Sequence, residues 1–289
     1  MASFKLEKLP QNTLKIWITI PWAQIEVQKD KVTEKAIETA EIKGFRKGKA
    51  PKELVEKTLD AQKLLESSLR DLIPLVYTQA IKELDLKPIL LPQIHIEKGE
   101  IGKDWELYAL TCETPEIKLN GYREGIKADL AKASIWTPEK GASKEENKNE
   151  STQKEEMLGQ ILQWLEKNIP VDISDLLIEE EANHMLSRLV DQLQKLGLTT
   201  ESYLASKGKT AETLRAEYSQ AAKENLKLEF ILEAIASQEN TSPTQVEIEK
   251  WLESADPQTQ QLLKDPSQKA SLTTSLRRRK TLDFLLSLS

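Results

Sequence analysis

Residues 43–52 read Lys-Gly-Phe-Arg-Lys-Gly-Lys-Ala-Pro-Lys, with five basic side chains and no acidic one. The whole chain carries 41 basic and 47 acidic residues, a formal charge of −6, so this run stands against the prevailing sign. Gly44 and Gly48 give the backbone the freedom to form an exposed tip. Pro51 is suited to restart a helix directly afterwards. The spacing therefore predicts a helix–loop–helix whose loop presents Arg46, Lys47 and Lys49 together, with Phe45 as an apolar anchor among them. The chemistry is non-covalent capture of an acidic, partly apolar surface. Arginine pairs bidentately with phosphate or carboxylate, and lysines add attraction that salt weakens. Residue types alone leave a second reading open, a solvated basic turn with Phe45 packed inward.

No other segment assembles comparable chemistry. His95 and His184 have no metal-ligand spacing to each other or to Cys112, so both read as structural or surface residues. Gly208-Lys209-Thr210 mimics the end of a phosphate-binding loop, but the earlier glycine would have to stand at Tyr203, and a helix precedes it rather than a strand. One cysteine excludes an intramolecular disulfide and fits a reducing compartment. No catalytic residue, metal or cofactor is expected.

Charge and hydropathy restrict the class further. Residues 1–120 hold 19 basic and 19 acidic side chains, and 121–289 hold 22 and 28, so the acidic excess lies in the second part. An overall negative charge argues against general nucleic-acid binding. The opening Met-Ala-Ser-Phe-Lys-Leu-Glu-Lys lacks the apolar core of a signal peptide, and no run approaches the ~18 apolar residues of a membrane span. A cytoplasmic location with no membrane partner is expected.

The positioning elements follow from periodicity. Residues 14–20 alternate like a half-buried strand. From Pro21 the period becomes helical through Trp22, Ile25, Val32, Ala36, Ile37 and Ala40, and Gly44 is suited to close that helix. A second helical region runs from near Pro51 to about Leu84, with breaks predicted near Asp60 and at Pro74. Residues 93–97 and 105–113 read as a hairpin, giving a compact α+β domain that ends near residue 120. Residues 137–156 are almost wholly polar and read as a linker, or as a solvated segment leading into a helix. Beyond it Ile178, Ala182, Met185, Leu186, Leu189, Leu193 and Leu196 mark a long helix stopped by Gly197. Leu214, Tyr218, Ala221, Leu228, Leu232 and Ile235 mark another, with Thr210 as N-cap. Thr213 stands where a glutamate or glutamine would complete a capping box, so no full box is expected. Pro243, Pro257 and Pro266 punctuate shorter helices. The last helix carries Leu272, Leu276, Leu282, Leu285 and Leu286, and its run Arg277-Arg278-Arg279-Lys280 reads as a solvated face.

The segment Gly44-Phe45-Arg46-Lys47-Gly48-Lys49-Ala50-Pro51 resembles the ribosome-binding signature of bacterial trigger factors, Gly-Phe-Arg-x-Gly-x-x-Pro. The flanking strand and helices, and Glu113-Thr114-Pro115-Glu116, are similar to the family's first domain. Asn168-Ile169-Pro170-Val171 leading into Leu177-Ile178-Glu179-Glu180-Glu181 is similar to the family's entry into its long arm helix. The resemblance implies a multidomain chain: an α+β amino-terminal ribosome-binding domain over 1–120, an extended connection and polar linker over 121–156, and an all-α carboxy-terminal chaperone domain with long arm helices over 157–289. It implies docking through Gly44, Phe45, Arg46, Lys47, Gly48, Lys49 and Pro51 on the ribosome's large subunit, at an exit-site protein and nearby ribosomal RNA. Unfolded nascent polypeptides are the other implied partner, with a second copy of the chain off the ribosome. The family usually carries an FK506-binding-type isomerase between its two parts. The interval 121–156 has only Tyr122 and Trp136 as aromatics and is too short for that pocket, so prolyl-isomerase activity is not expected. The rival functions are a ribosome-independent holding or assembly chaperone and a residual isomerase.

Overall fold

The computed structural model describes residues 2–39, 61–135, 150–254 and 265–288. They form two compact units, Met1–Thr114 with Ser174–Leu177, and Pro115–Ile173 with Ile178–Ser289.

The first unit is built on a four-stranded antiparallel sheet in the order β1-β2-β4-β3. Its strands are β1 (Ser3–Lys8), β2 (Thr13–Ile20), β3 (Gln93–Lys98) and β4 (Trp105–Cys112). Period-two alternation sends Ile16, Ile18 and Ile20 of β2 and Leu107 and Ala109 of β4 to one face, where all are buried. On that face lie α1 (Trp22–Thr39) and α2 (Ala61–Glu83), contributing Ile25, Leu69, Leu72, Val76 and Ala80 to the same core. Each fully buried Ile or Leu contributes about 1.5–3 kcal/mol, which fixes the register of β2 on β4 from Thr13↔Cys112 to Ile20↔Trp105.

Two expectations for this unit change. Strand β1 was not foreseen: Phe4 and Leu6 alone give too short an alternation, and its place comes from pairing with β2 across a turn where Gln11 and Asn12 adopt φ of 57° and 54°. Pro74 does not interrupt α2, which runs unbroken from Ala61 to Glu83. A proline inside a helix costs about 3 kcal/mol, but Leu69 and Leu72 before it and Val76 and Ala80 after it enter one core, and their joint burial outweighs that cost. The predicted start of that helix near Pro51, its break near Asp60, and the closing role of Gly44 lie outside the described residues.

The second unit is helical. In chain order it holds α3 (Tyr122–Ile135), α4 (Glu150–Asn168), α5 (Asp175–Lys195, whose first turn belongs to the first unit), α6 (Thr200–Lys207), α7 (Ala211–Gln238), α8 (Gln245–Ser254) and α9 (Pro266–Leu286). Tyr122 and Ile126 of α3, Ile161 and Leu165 of α4, Ile231, Leu232 and Ile235 of α7, and Leu285 of α9 form its core. Where an extended connection was expected from residue 121, Tyr122–Ile135 is therefore a helix, because Tyr122, Ile126 and Leu130 recur every four residues on one face. Of the two readings of 137–156, the end of the segment fits the one that leads into a helix, with α4 already helical from Glu150.

The capping box on α7 is complete, against expectation. The Thr210 hydroxyl accepts from the Thr213 backbone N–H at 3.2 Å, and the Thr213 hydroxyl accepts from the Thr210 N–H at 2.9 Å. A threonine hydroxyl thus does what a longer glutamate usually does. Gly197, at φ 68°, ends α5 as its position predicts.

Candidate functional site

The docking residues singled out by sequence, Gly44, Phe45, Arg46, Lys47, Gly48, Lys49 and Pro51, lie outside the described residues. What the structure supplies is their two supports, α1 before them and α2 after them. The Asp104 carboxylate, from the β3–β4 turn, accepts from the Trp22 backbone N–H at 2.9 Å and satisfies one of the unpaired donors at the start of α1. Ile25 then locks the first turns of α1 into the sheet core. Farther along, Thr33 is buried and turns its hydroxyl back on the Lys29 carbonyl at 2.8 Å. On α2, buried Ser68 donates to the Leu64 carbonyl at 2.6 Å, so these two buried hydroxyls are satisfied within their own helices. Their outer surface leaves a shallow groove of about 190 Å³ flanked by Val27 and Leu75, which are 55% and 63% exposed.

His95 is exposed on β3 and stacks on Tyr108 with ring centroids 4.8 Å apart. His184 lies on α5 beside Glu180 at 3.2 Å. Cys112 is buried, and burial pushes its thiol up, away from the reactive thiolate. Gly208 is the left-handed cap of α6, and Lys209 pairs with Glu217 at 2.5 Å, so the phosphate-loop mimic is a helix-to-helix turn. Among the described residues no cluster of three His, Cys, Asp or Glu side chains could hold a metal ion, and no helix is long and apolar enough to cross a membrane.

The basic run of α9 is not simply a solvated face. Arg277 bonds Glu233 at 2.8 Å and the Ser237 hydroxyl at 2.9 Å, both on α7. Lys280 reaches both carboxylate oxygens of Glu247 on α8 at 2.9 Å. These side chains tie α9 to two neighbouring helices. Beside them, Phe230, Leu232 and Thr281 help line a hollow of about 390 Å³ between α7 and α9.

The second unit also shows which helical stripes remain uncovered. Of the stripe read along α5, Ile178, Ala182 and Leu193 are buried, but Met185, Leu186 and Leu189 are only half-buried and Leu196 is 72% exposed. Val190 and Leu198 extend the uncovered apolar side chains, and Leu186 and Val190 line a hollow on this helix. One feature had no legible sequence signal. Glu239, only 11% exposed, is held by Arg123 and by the Tyr122 hydroxyl, which donates at 2.8 Å. Burial is the main cause that pushes the Tyr122 phenol up.

This architecture defines a class: an α/β module whose two packed helices stand before and after the basic segment 43–52 in the chain, followed along the chain by a helical body. The description "Bacterial trigger factor protein (TF)" matches residues 2–140, and "Bacterial trigger factor protein (TF) C-terminus" matches 139–287. The chain belongs to the bacterial trigger factor family. The two matches meet end to end, leaving no interval between them. A trigger factor of Listeria welshimeri is 33% identical over 137 residues, which are 47% of this chain and 32% of that protein. One from Syntrophomonas wolfei is 36% identical over 126 residues, 44% of this chain and 28% of that one. The matched stretch thus spans about a third of the length of these relatives. A solved structure described by "Promiscuous Substrate Recognition in Folding and Assembly Activities of the Trigger Factor Chaperone" superposes with a TM-score of 0.65, covering 98% of this chain and 99% of that one. At 17% identity that likeness concerns the fold.

Proposed function

We propose that the chain is a molecular chaperone that docks at the ribosomal tunnel exit through Gly44–Pro51 and holds unfolded nascent polypeptides on its helical part. The observation that carries this reading is the pairing of family membership along 2–287 with an acid-free Phe-Arg-Lys segment whose flanking helices share one core. The loop attaches, with Phe45, Arg46 and Lys47 meeting a large-subunit protein and adjacent RNA. Gly44, Gly48 and Pro51 shape the tip, and Lys49 adds charge.

The holding part follows from the uncovered apolar side chains of α5. A binder of many unfolded sequences needs adaptable apolar contact rather than one shaped pocket. Met185, Leu186, Leu189 and Val190, with Leu196 and Leu198 at the helix end, offer that contact. Methionine and leucine repack readily around different partners. The acidic excess beyond residue 120 keeps such a surface soluble and steers it away from RNA. The protein works in the cytoplasm, and a second copy is its partner off the ribosome. It has no prolyl-isomerase activity: the two matched regions abut, and 121–156 supplies no aromatic-lined pocket.

Co-sedimentation with ribosomes tests the docking, and a proline-limited refolding assay tests the lack of isomerase activity. Acceleration of refolding at catalytic amounts of the chain would contradict the non-enzymatic reading.

A further inference from the structure

The sheet of the first unit has a second face, opposite its core. Strand register places Lys5, Trp17, Tyr108 and His95 in one row across all four strands, through the pairs Lys5↔Trp17, Trp17↔Tyr108 and His95↔Tyr108. The three rings touch in series. Trp17 meets Tyr108 edge-on at 5.2 Å, and Tyr108 stacks with His95 at 4.8 Å and 19° between planes. His95 is exposed and Trp17 and Tyr108 are half-buried. The Lys15 ammonium lies 4.1 Å over Trp17 and 4.0 Å over Tyr108.

We infer that this face is a second contact for RNA, an unpaired stretch of ribosomal RNA stacking on the Trp17–Tyr108–His95 row with its phosphates toward Lys5 and Lys15. The inference rests on the ribosome-docking reading for the source of the RNA, not for the chemistry of the face.

Three observations select this occupant. An exposed imidazole already stacked on a tyrosine leaves a flat π-face at the end of the series, and an unpaired base extends such a stack whatever its identity. Charge on the face complements a phosphate backbone. Lys5, Lys15 and Lys98 outnumber Glu7 and Glu106 on this face: Glu106 is paired with Lys98 at 2.8 Å, Glu7 keeps its charge while accepting from the Trp17 indole at 3.0 Å, and neither Lys5 nor Lys15 has an ion-pair partner among the described residues. The row offers rings rather than an aliphatic trough, which disfavours an unfolded peptide seeking leucine-sized burial.

The test uses the full chain and a short fluorescein-labelled oligouridylate, read by fluorescence anisotropy. The intact protein binds it, more weakly as salt rises. His95→Ala weakens binding about tenfold with unchanged melting temperature, the scale of one lost stacking ring, and Trp17→Leu weakens it as well. Lys5→Gln with Lys15→Gln flattens the salt dependence. His95→Ala, at an exposed position, keeps the test decisive if Trp17→Leu does not fold. In a Phe45→Ala, Arg46→Ala, Lys47→Ala background, where ribosome binding fails, His95→Ala still weakens oligonucleotide binding severalfold, so loss of docking and loss of this face are distinguishable. No binding by the intact chain would overturn the proposal. So would binding indifferent to Trp17→Leu and His95→Ala, or lost only in the loop variant. Displacement of the oligonucleotide by an unfolded carboxymethylated protein, competing for this row, would reassign the face to peptide and overturn it as well.

Discussion

Gly125 on α3 lies so close to Trp164 on α4 that a β-carbon at residue 125 would fall 2.0 Å from the indole Cζ2. No side chain but hydrogen fits there. Glycine is disfavoured in a helix interior by about 1 kcal/mol relative to alanine, so its presence in α3 is explained by this close approach. Gly125→Ala should destabilise the protein despite the better helix propensity, by about 1–3 kcal/mol from overpacking. Urea denaturation would show a lower midpoint at an unchanged slope. Adding Trp164→Leu should recover part of the loss, since the two sites are coupled.

Glu247 offers a pH test. The Thr244 backbone N–H at 2.6 Å, then Lys280 at 2.9 Å and the Thr244 hydroxyl at 3.0 Å, stabilise its charged form and lower its pKa from the usual 4.5 to about 2. A carboxyl whose pKa is depressed on folding contributes stability that is fully present above its unfolded value and disappears as pH falls through the folded one. The difference in melting temperature between wild type and Glu247→Gln should therefore be constant above about pH 5 and shrink to nothing between pH 4.5 and about 2. A difference that persists at pH 2 would place the effect on packing rather than charge.

The uncovered face of α5 should matter for holding and not for folding. Leu186→Ser together with Leu196→Ser changes one half-buried and one largely exposed side chain, so stability should shift by less than about 1 kcal/mol. Suppression of aggregation of an unfolded client, followed by light scattering, should weaken severalfold. Equal protection by the double variant would move the holding surface elsewhere.

Much of this fold was legible because it is set by local pattern. The alternation of residues 14–20, the 93–113 hairpin and the stop at Gly197 are short-range signals. What was hidden depends on distant partners. Strand β1 exists because β2 accepts it, and α2 passes through Pro74 because its neighbours share a core. The charged neighbours Arg123, Glu124, Lys127 and Asp129 mask the apolar stripe of α3. Glu239 finds Arg123 across 116 positions, a distance no spacing rule spans. Thr213 shows a different failure, a rule stated by residue name when the requirement is an acceptor oxygen. The docking loop was read from residue types and resemblance, and the described residues give only the helices that bracket it.

The central claim is attachment to the ribosome through Phe45, Arg46 and Lys47. Purified ribosomes sedimented with the full chain through a sucrose cushion measure it directly, comparing wild type with the Phe45→Ala, Arg46→Ala, Lys47→Ala variant. Wild type should pellet with ribosomes, less so at high salt, while the variant stays in the supernatant with its fold intact by circular dichroism. Equal pelleting of the two proteins would contradict the account.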